Sequence, residues 1–259
     1  MENTHKKNTK KKQILAASTL IVVIAFLIGM LSGALYYREA LFPIPQLGKI
    51  VHDYKLRQNP EQGCPVGVSI ELKDLRAISK FNQIDKIFWG DSLVEFVQDG
   101  RFYGIQNYRI IGKSGQLVYC SLQEIDYILN FKPDTVIIYV GGNDADGQSW
   151  YGPEEAGAYY EEIIDTLLSN NIKPIIHLIH GSASSRNKDY REKYNNILES
   201  IGKRKNILVI PDAPEFSYNK TWGEIRREGS LYSYDGEHLK PEGYKLWISH
   251  IRQYVPDFE

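Results

Sequence analysis

The sequence predicts an α/β fold in which a parallel sheet is covered by helices on both faces. Short apolar runs of the kind that form strands buried on both faces recur between Lys86 and Ile210. Longer segments with apolar residues at helical spacing separate these runs and follow the last one. Strands that alternate with helices form parallel sheets, because each crossover helix packs back onto the sheet.

The predicted elements follow one another regularly from residue 86 to residue 254. The strands are Lys86–Trp89, Tyr108–Ile111, Thr135–Val140, Pro174–Ile179 and Asn206–Ile210. The helices are Leu93–Gln98, Gln116–Asn130, Glu154–Asn170, Lys188–Lys203 and Pro241–Tyr254. In such sheets the functional groups collect beyond the carboxyl ends of the strands. We therefore expect the functional residues to lie in the loops that follow the strands.

The first 37 residues differ in character from the rest of the chain. Residues 1–12 form a basic tail with five lysines, and residues 13–37 contain the uncharged apolar run Ile14–Leu31. A run of ~20 apolar residues suffices to cross the hydrocarbon core of a bilayer. Tyr36 and Tyr37 lie where interfacial aromatic residues anchor a span. We expect residues 13–37 to be a transmembrane signal-anchor, with the N-terminus cytoplasmic and the remainder extracytoplasmic.

A cleaved signal peptide is the alternative interpretation of the same segment. Ser32-Gly33-Ala34 offers small residues for cleavage, and cleavage after Ala34 would secrete the protein. The apolar run is longer than a usual signal core, which favours a retained anchor; both interpretations export the domain. Residues 38–85 contain several prolines and a short predicted helix near Leu72–Phe81, and we interpret them as a stalk and lead-in. Residues 86–259 form the predicted domain.

Charge and cysteine content exclude some functions and leave one question open. The formal net charge is −1, and because the tail is strongly basic, the remainder is acidic. An acidic domain is not suited to bind nucleic acid. Cys64 and Cys120 form a disulfide in an oxidising compartment, or else Cys120 is a buried free thiol within a helix. No cysteine or histidine spacing resembles a zinc site.

Three polar motifs each end a predicted strand. Gly90-Asp91-Ser92-Leu93 follows the first strand and places Ser92 where a helix begins. Gly112, in Gly-Lys-Ser-Gly, ends the second strand, and Asn143, in Gly-Gly-Asn-Asp, ends the third. Taken singly, Ser92 has the position of a helix N-cap and the other two motifs that of ordinary turns. A helix N-terminus, a glycine N–H and an amide side chain also favour developing negative charge.

Asp235-Gly236-Glu237-His238 precedes the last predicted helix, which Pro241 opens. Histidine is the usual general base for a serine nucleophile, and a carboxylate holds its tautomer. A spacing of three in a loop allows Asp235 to accept a hydrogen bond from the imidazole of His238. The first three motifs share one edge of the predicted sheet, and the fourth reaches that edge through its loop. Together they supply a nucleophile, a base with its orienting acid, and donors for an oxyanion.

These four motifs resemble the blocks of the SGNH, or GDSL, hydrolases, which supply Ser, Gly, Asn and His in that chain order. The resemblance spans about Lys86–Tyr254, and its second block lacks the asparagine that often precedes the glycine. It implies a three-layer α/β/α, flavodoxin-like fold and ester hydrolysis without metal or organic cofactor. Ser92, His238 and Asp235 would form the catalytic triad. The N–H groups of Ser92 and Gly112 and the Asn143 amide would form the oxyanion hole, with Asp91 and Asp144 in supporting roles.

Other residues have weaker functional interpretations. His177 and His180 are predicted on opposite faces of a strand, so they cannot share a metal, although His180 is placed to line a pocket. Trp150, Tyr151 and Trp222 fall in predicted loops, where aromatic rings stack on sugars or pack under the loop.

The sequence therefore predicts an extracytoplasmic serine carboxylester hydrolase that removes small acyl groups from a saccharide. A small ester or acylated saccharide is the expected substrate, with the membrane as a partner through the N-terminal helix. The alternatives are an O-acyltransferase with the same triad and a sugar acceptor, a lipid esterase or thioesterase, and a non-catalytic envelope module.

Overall fold

The computed structural model describes Cys64 and residues 85–97, 105–181, 188–216, 231–233 and 235–259. All of these residues belong to one unit, Asn59–Glu259. Within the described ranges the strands form a single parallel sheet in the order β2-β1-β3-β4-β5. The strands are β1 Lys86–Gly90, β2 Arg109–Gly112, β3 Thr135–Tyr139, β4 Lys173–His177 and β5 Val209–Ile210. The predicted parallel sheet is confirmed.

The helices occupy the connections between the strands and the C-terminal end of the chain. They are α1 Ser92–Glu95, α2 Val118–Gln123, α3 Ile125–Leu129, α4 Pro153–Ser169, α5 Lys188–Lys205 and α6 Pro241–Tyr254. A single irregular turn, Asp144–Gln148, follows β3, and a short 3₁₀ segment, Pro214–Phe216, follows β5. The longer helices α4, α5 and α6 agree with the prediction to within two residues at either end.

The predicted helix Gln116–Asn130 is two helices in the structure. Its apolar spacing is helical throughout, but the backbone of Glu124 departs from helical geometry and separates α2 from α3. The Glu124 carboxylate accepts hydrogen bonds from Lys113 (2.5 Å) and Gln116 (3.1 Å) in the loop after β2. The break therefore coincides with the point at which the helix attaches to that loop.

Strand β4 is shorter than predicted, which changes the relation between His177 and His180. The strand ends at His177, so the alternation of faces no longer applies to His180. The two rings lie 5.7 Å apart, and the prediction that they face opposite sides is wrong. His177 is fully buried and its Nε2 accepts a hydrogen bond of 2.8 Å from the Trp247 indole, so it is a residue of the core.

Trp247 links helix α6 to the centre of the sheet. Its ring is fully buried and meets Phe88 of β1 at 5.5 Å and Tyr139 of β3 at 4.9 Å. The hydrogen bond to His177 satisfies its N–H, which would otherwise be costly to bury. Helix α6 is therefore fixed against β1, β3 and β4 through one side chain.

A disulfide joins Cys64 to Cys120, with a Cα–Cα distance of 5.5 Å. This answers the question that the sequence left open, and the free-thiol alternative is wrong. The bond attaches the lead-in to helix α2, which directly follows the Gly112 loop.

The predicted tail, signal-anchor and most of the stalk, including the helix near 72–81, lie outside the described residues. Among the helices that the structure does describe, none combines the length and the hydropathy of a membrane span. The assignments of residues 1–12, 13–37 and 38–85 therefore stay predictions.

We expect Trp247→Ala to lower the free energy of unfolding by about 3–5 kcal/mol, because it leaves a cavity and an unpaired His177 nitrogen. Urea denaturation monitored by circular dichroism measures this loss. Tyr254→Ala is the matched control, since Tyr254 lies on the same helix but is 37% exposed; its cost should stay under about 1 kcal/mol. Equal losses in the two variants would show that Trp247 does not hold the helix to the sheet.

Candidate active site

The sheet order brings the first three sequence motifs to neighbouring strand ends. Strand β1 lies between β2 and β3, with Gly90 paired with Gly112 on one side and with Tyr139 on the other. Ser92 follows β1 and Asn143 follows β3 at the carboxyl edge of the sheet. This is the edge at which a site is expected in a parallel α/β sheet.

The turn from β1 into α1 presents the hydroxyl of Ser92. Asp91 is the N-cap of the helix, and its Oδ1 accepts a hydrogen bond of 3.0 Å from the N–H of Leu93. A Cβ at residue 90 would clash with the carbonyl oxygen of Tyr139, so the strand can enter this turn only with glycine. Ser92 is thus the first helical residue rather than the cap, and its N–H has no acceptor within the helix.

The imidazole of His238 lies between Ser92 and Asp235. Its Nε2 is 2.9 Å from the Ser92 Oγ, and its Nδ1 is 2.6 Å from the Asp235 Oδ2. The other oxygen of Asp235 accepts hydrogen bonds of 3.0 Å from the backbone N–H groups of Glu237 and His238. The loop thus closes on its own carboxylate, which fixes the imidazole relative to the sheet.

The charge state of Asp235 determines the tautomer of His238. Partial burial acts to raise the pKa of Asp235, but hydrogen bonds from the His238 side chain and from two backbone N–H groups outweigh it, so that the pKa is lowered. An ionised carboxylate only accepts, so the Nδ1 of His238 must carry a proton. In the neutral ring the Nε2 then has its lone pair toward the Ser92 hydroxyl, as a general base requires.

Asn143 lies one strand away from Ser92 with a defined amide orientation. Its Nδ2 donates a 3.0 Å hydrogen bond to the carbonyl oxygen of Gln116, in the loop after Gly112. Its Oδ1 accepts one of 3.0 Å from the side chain of Gln148. An amide nitrogen carries two hydrogens, so one N–H of Asn143 remains for a ligand.

Ser92, His238 and Asn143 line one cleft with an empty volume of about 330 Å³. Most of its lining is polar or charged. The lining residues are Asp91, Ser92, Leu93, Gly142, Asn143, Asp146, His180, Gly181, Arg191, Glu237 and His238. The structure therefore brings together the predicted Ser92, Asn143 and His238, with Asp235 behind the imidazole.

Gly112 has a different place from the one that its predicted role suggests. It does not belong to the described residues that line the cleft. A Cβ at this position would clash with the backbone of Glu95 in helix α1, so a glycine lets β2 and α1 approach closely. A packing role is sufficient to explain this residue, and its part in an oxyanion hole stays a prediction.

Two buried carboxyl groups support the loops of the site. Burial raises the pKa of Asp91 and of Asp144 to about 7 in each case, against opposing hydrogen bonds. Asp144 accepts hydrogen bonds from the N–H of Val118 at 3.2 Å and from the hydroxyl of Tyr151. It thereby ties the Asn143 loop to the start of helix α2, which is the supporting role predicted for it.

Arg191 is a residue of the cleft that sequence reasoning missed. Its side chain is buried. The guanidinium donates hydrogen bonds to both carboxylate oxygens of Asp146, at 2.7 and 2.8 Å, and to the carbonyl oxygen of His180, at 2.7 Å. One guanidinium therefore joins the loops after β3 and β4. Only its position on helix α5, on the face that also buries Tyr190 and Tyr194, indicates that Arg191 faces the interior.

The aromatic residues near the site differ from expectation. Trp150 and Tyr151 are buried against Tyr119 and Tyr159, so they are packing residues and not an open platform for sugars. Trp222 lies outside the described residues. The aromatic ring beside the imidazole is Phe96, which is 52% exposed and meets the ring of His238 at 5.0 Å.

His180 lines the cleft, as the sequence allowed. Its Nδ1 forms a hydrogen bond with the carboxylate of Asp212, which also accepts a hydrogen bond of 3.1 Å from the backbone N–H of Gly181. The ring packs on Phe216 at 4.4 Å and on Trp247 at 4.9 Å. Among the residues that the structure describes, no group of three or more acidic, histidine or cysteine side chains is arranged to hold a metal ion.

We expect the buried carboxyl of Asp91 to make the protein less stable as the pH rises from about 4 to 7. The folded state binds this proton with a pKa of about 7 and the unfolded state with the ordinary value of 3.8, so the proton is lost more readily on unfolding within this window. In the Asp91→Asn variant, the free energy of unfolding should fall by a few kcal/mol less over the same pH range. Urea denaturation at pH 5 and pH 7.5 measures it; an unchanged difference between the two pH values in Asp91→Asn would contradict the assignment.

The comparisons with known proteins agree with this fold. The model of the GDSL-like lipase/acylhydrolase family matches residues 88–246, more than half of the chain. A search of curated protein sequences finds no significant match.

Several solved structures share the fold. A GDSL-like lipase from Bacteroides thetaiotaomicron is 21% identical, with a TM-score of 0.57 over 72% of this chain and 97% of that one. The acetyl xylan esterase AlAXEase is 18% identical, with a TM-score of 0.52 over 66% and 99%. An acetylxylan esterase from Geobacillus stearothermophilus is 14% identical, with a TM-score of 0.50 over 65% and 92%. The chain belongs to the GDSL-like lipase/acylhydrolase family and is an enzyme that hydrolyses ester bonds.

Proposed function

We propose that the protein is a serine carboxylester hydrolase that removes short acyl groups, such as acetyl, from a hydrophilic alcohol. One observation carries the chemistry: His238 Nε2 lies 2.9 Å from Ser92 Oγ, with Asp235 bonded to the opposite nitrogen. A serine hydroxyl is a weak nucleophile until a base takes its proton.

The reaction proceeds through an acyl-enzyme in two balanced steps. Ser92 Oγ attacks the ester carbonyl while His238 Nε2 takes the hydroxyl proton. The tetrahedral intermediate collapses as His238 returns that proton to the leaving alcohol, and the acyl group stays on Ser92. Water then attacks the acyl-enzyme while His238 Nε2 takes a proton from it. As the bond between the acyl group and Ser92 Oγ breaks, His238 returns that proton to Oγ and the free acid leaves. Asp235 stabilises the imidazolium at each proton transfer.

The negative oxygen of each tetrahedral intermediate needs donors that are already in place. One leading donor is the backbone N–H of Ser92, at the start of helix α1. The other is the amide N–H of Asn143 that is not bonded to Gln116. The Gly112 N–H is the third donor that the sequence suggests. Removing one such donor costs roughly 3–4 kcal/mol of transition-state stabilisation in a comparable hydrolase.

The lining of the cleft supports a small, hydrophilic substrate. Leu93 is the one large apolar residue among the described residues that line it, whereas charged and amide side chains dominate. A long acyl chain needs an apolar channel, so this lining disfavours a lipid esterase. Two structural neighbours are acetylxylan esterases, which supports an acetylated saccharide as substrate. Stacking on Trp150 and Tyr151 supplies no such support, because both rings are buried.

The alternatives share parts of this machinery. An O-acyltransferase would form the same acyl-enzyme and pass it to a sugar hydroxyl instead of water. No feature of the described cleft selects a sugar hydroxyl over water, so we propose hydrolysis. A non-catalytic envelope module would not need the hydrogen-bonded serine, imidazole and carboxylate.

We propose that the domain lies outside the cytoplasmic membrane, held by a signal-anchor at residues 13–37. The uncharged run Ile14–Leu31 behind a basic tail supports this. The disulfide between Cys64 and Cys120 gives independent support, since structural disulfides persist in oxidising compartments.

We expect Ser92→Ala to lose at least about 10³-fold in kcat on 4-nitrophenyl acetate, as in other enzymes that use a serine triad. The purified chain is assayed beside Ser169→Ala, which removes an exposed hydroxyl at the end of α4 and should keep the wild-type rate. The same assay with the decanoyl ester should give a much lower kcat/KM than the acetyl ester. Equal activity of Ser92→Ala and wild type would contradict the mechanism; preference for the decanoyl ester would contradict the substrate class.

We expect the protein to sediment with membranes, with its domain open to protease added outside intact cells. Detergent, but not carbonate at high pH, should release it, because a spanning helix is not extracted by breaking electrostatic contacts. A chain that lacks residues 13–37 is the control and should be soluble. Recovery of the full chain in the cytosol, with free thiols at Cys64 and Cys120, would contradict the proposed location.

A further inference from the structure

The side chain of Asn143 must point one particular way for the proposed reaction. The amide oxygen and nitrogen are nearly equal in size, so a half-turn about the terminal bond fills the same space. In one orientation an N–H faces an oxyanion; in the other an oxygen does, and it repels negative charge. Whatever fixes the orientation therefore contributes to the rate.

Two contacts on opposite ends of the amide fix the orientation. The carbonyl oxygen of Gln116 only accepts hydrogen bonds, so the atom 3.0 Å from it must be the amide nitrogen of Asn143. At the other end the Oδ1 accepts from the Gln148 Nε2 at 3.0 Å. The first contact uses one of the two N–H groups and the second engages the oxygen, so the other N–H is left for a ligand.

We propose that Gln148 is a positioning residue that orients the Asn143 amide for oxyanion binding, an inference that rests on the proposed hydrolase function. Gln148 would not touch the substrate's reacting atoms. It acts through Asn143, and its effect belongs to the transition state, where the oxyanion exists, rather than to ground-state binding.

The turn Asp144–Gln148 is built so that Gln148 returns to Asn143. Gly147 has a φ of 82°, which reverses the chain there, and no atom lies within 4 Å of a Cβ built on it. The conformation, and not crowding, therefore requires glycine. Asp144 and Asp146 secure the turn through Val118 and Arg191, respectively. The donor to Asn143 thus comes from its own loop, on a rigid base.

The fold does not depend on Gln148 in any visible way. Its side chain is exposed, and its described hydrogen bond is the one to Asn143. Nearby contacts that secure the turn belong to the buried residues Asp144 and Arg191. A substitution at residue 148 therefore tests orientation of the amide with little risk to folding.

The test is a double-mutant cycle between Gln148→Glu and Asn143→Ala, assayed on 4-nitrophenyl acetate. A carboxylate at residue 148 cannot donate to Asn143 Oδ1; it attracts the amide nitrogen instead. We expect Gln148→Glu alone to lower kcat about tenfold with KM within about twofold, and to have less than about a twofold effect when Asn143 is already alanine. Gln148→Ala, which only deletes the donor, should give a smaller loss in the same direction. Gln253→Glu makes the same charge change at an exposed place on α6 and should keep the wild-type rate.

The outcomes separate this inference from the proposed function. Equal losses from Gln148→Glu in both backgrounds, or no loss in the wild-type background, would overturn the positioning role alone. A wild-type rate for Asn143→Ala would overturn the oxyanion assignment and the inference with it. If Gln148→Glu is unfolded by circular dichroism, Gln148→Ala takes its place in the cycle, and the same coupling decides.

Discussion

The hydrogen bond between His238 and Ser92 joins residues 146 positions apart, and most of the fold serves to bring them together. Ser92 begins helix α1, directly after the inner strand β1, while His238 precedes helix α6. Helix α6 is fixed to the sheet by Trp247, which contacts β1, β3 and β4 at once. The loop of His238 then needs one internal contact, from Asp235, to set the ring. Two features therefore place His238 next to Ser92: the packing of Trp247 against the sheet and the local turn closed by Asp235.

The sequence predicts best those features that depend on local pattern and strand order. The parallel sheet follows from apolar runs, and the shared edge follows from what parallel connections allow. Asn143 and Ser92 stand at strand ends that are neighbours, because β1 lies between β2 and β3. Asp235 and His238 lie in one loop, so their contact depends on a spacing that the sequence displays.

Features that depend on tertiary contacts cannot be predicted from local sequence pattern. Arg191 and Gln148 carry no motif, since each acquires its role only through partners that the fold brings near. Trp150 looks like a loop residue along the chain, yet it is buried because Tyr119 and Tyr159 pack around it and Tyr151. The end of β4 at His177 was missed because the apolar run continues to Ile179, although strand pairing stops earlier.

Buried charge close to Ser92 gives the site rigidity and costs stability. Asp91 and Asp144 are buried at the ends of β1 and β3, and Arg191 is buried on helix α5 beside the same cleft. Asp144 ties the loop after β3 to helix α2, Arg191 ties the loops after β3 and β4 together, and Asp91 caps its own helix. All three side chains would be better solvated in the unfolded chain. Apolar residues in these places would stabilise the fold but would not bind the backbone groups that set the loops.

The disulfide also defines the mechanical path through the molecule. Any tension on the chain before Cys64 passes through the sulfur–sulfur bond into helix α2 and continues from Cys120 toward the C-terminus. The segment between the two cysteines, which includes β1, Ser92 and β2, forms a closed covalent loop outside that path. A pull from the N-terminal side therefore loads helix α2 and the elements after it, while strand β1 and Ser92, the proposed nucleophile, bear none of the force directly.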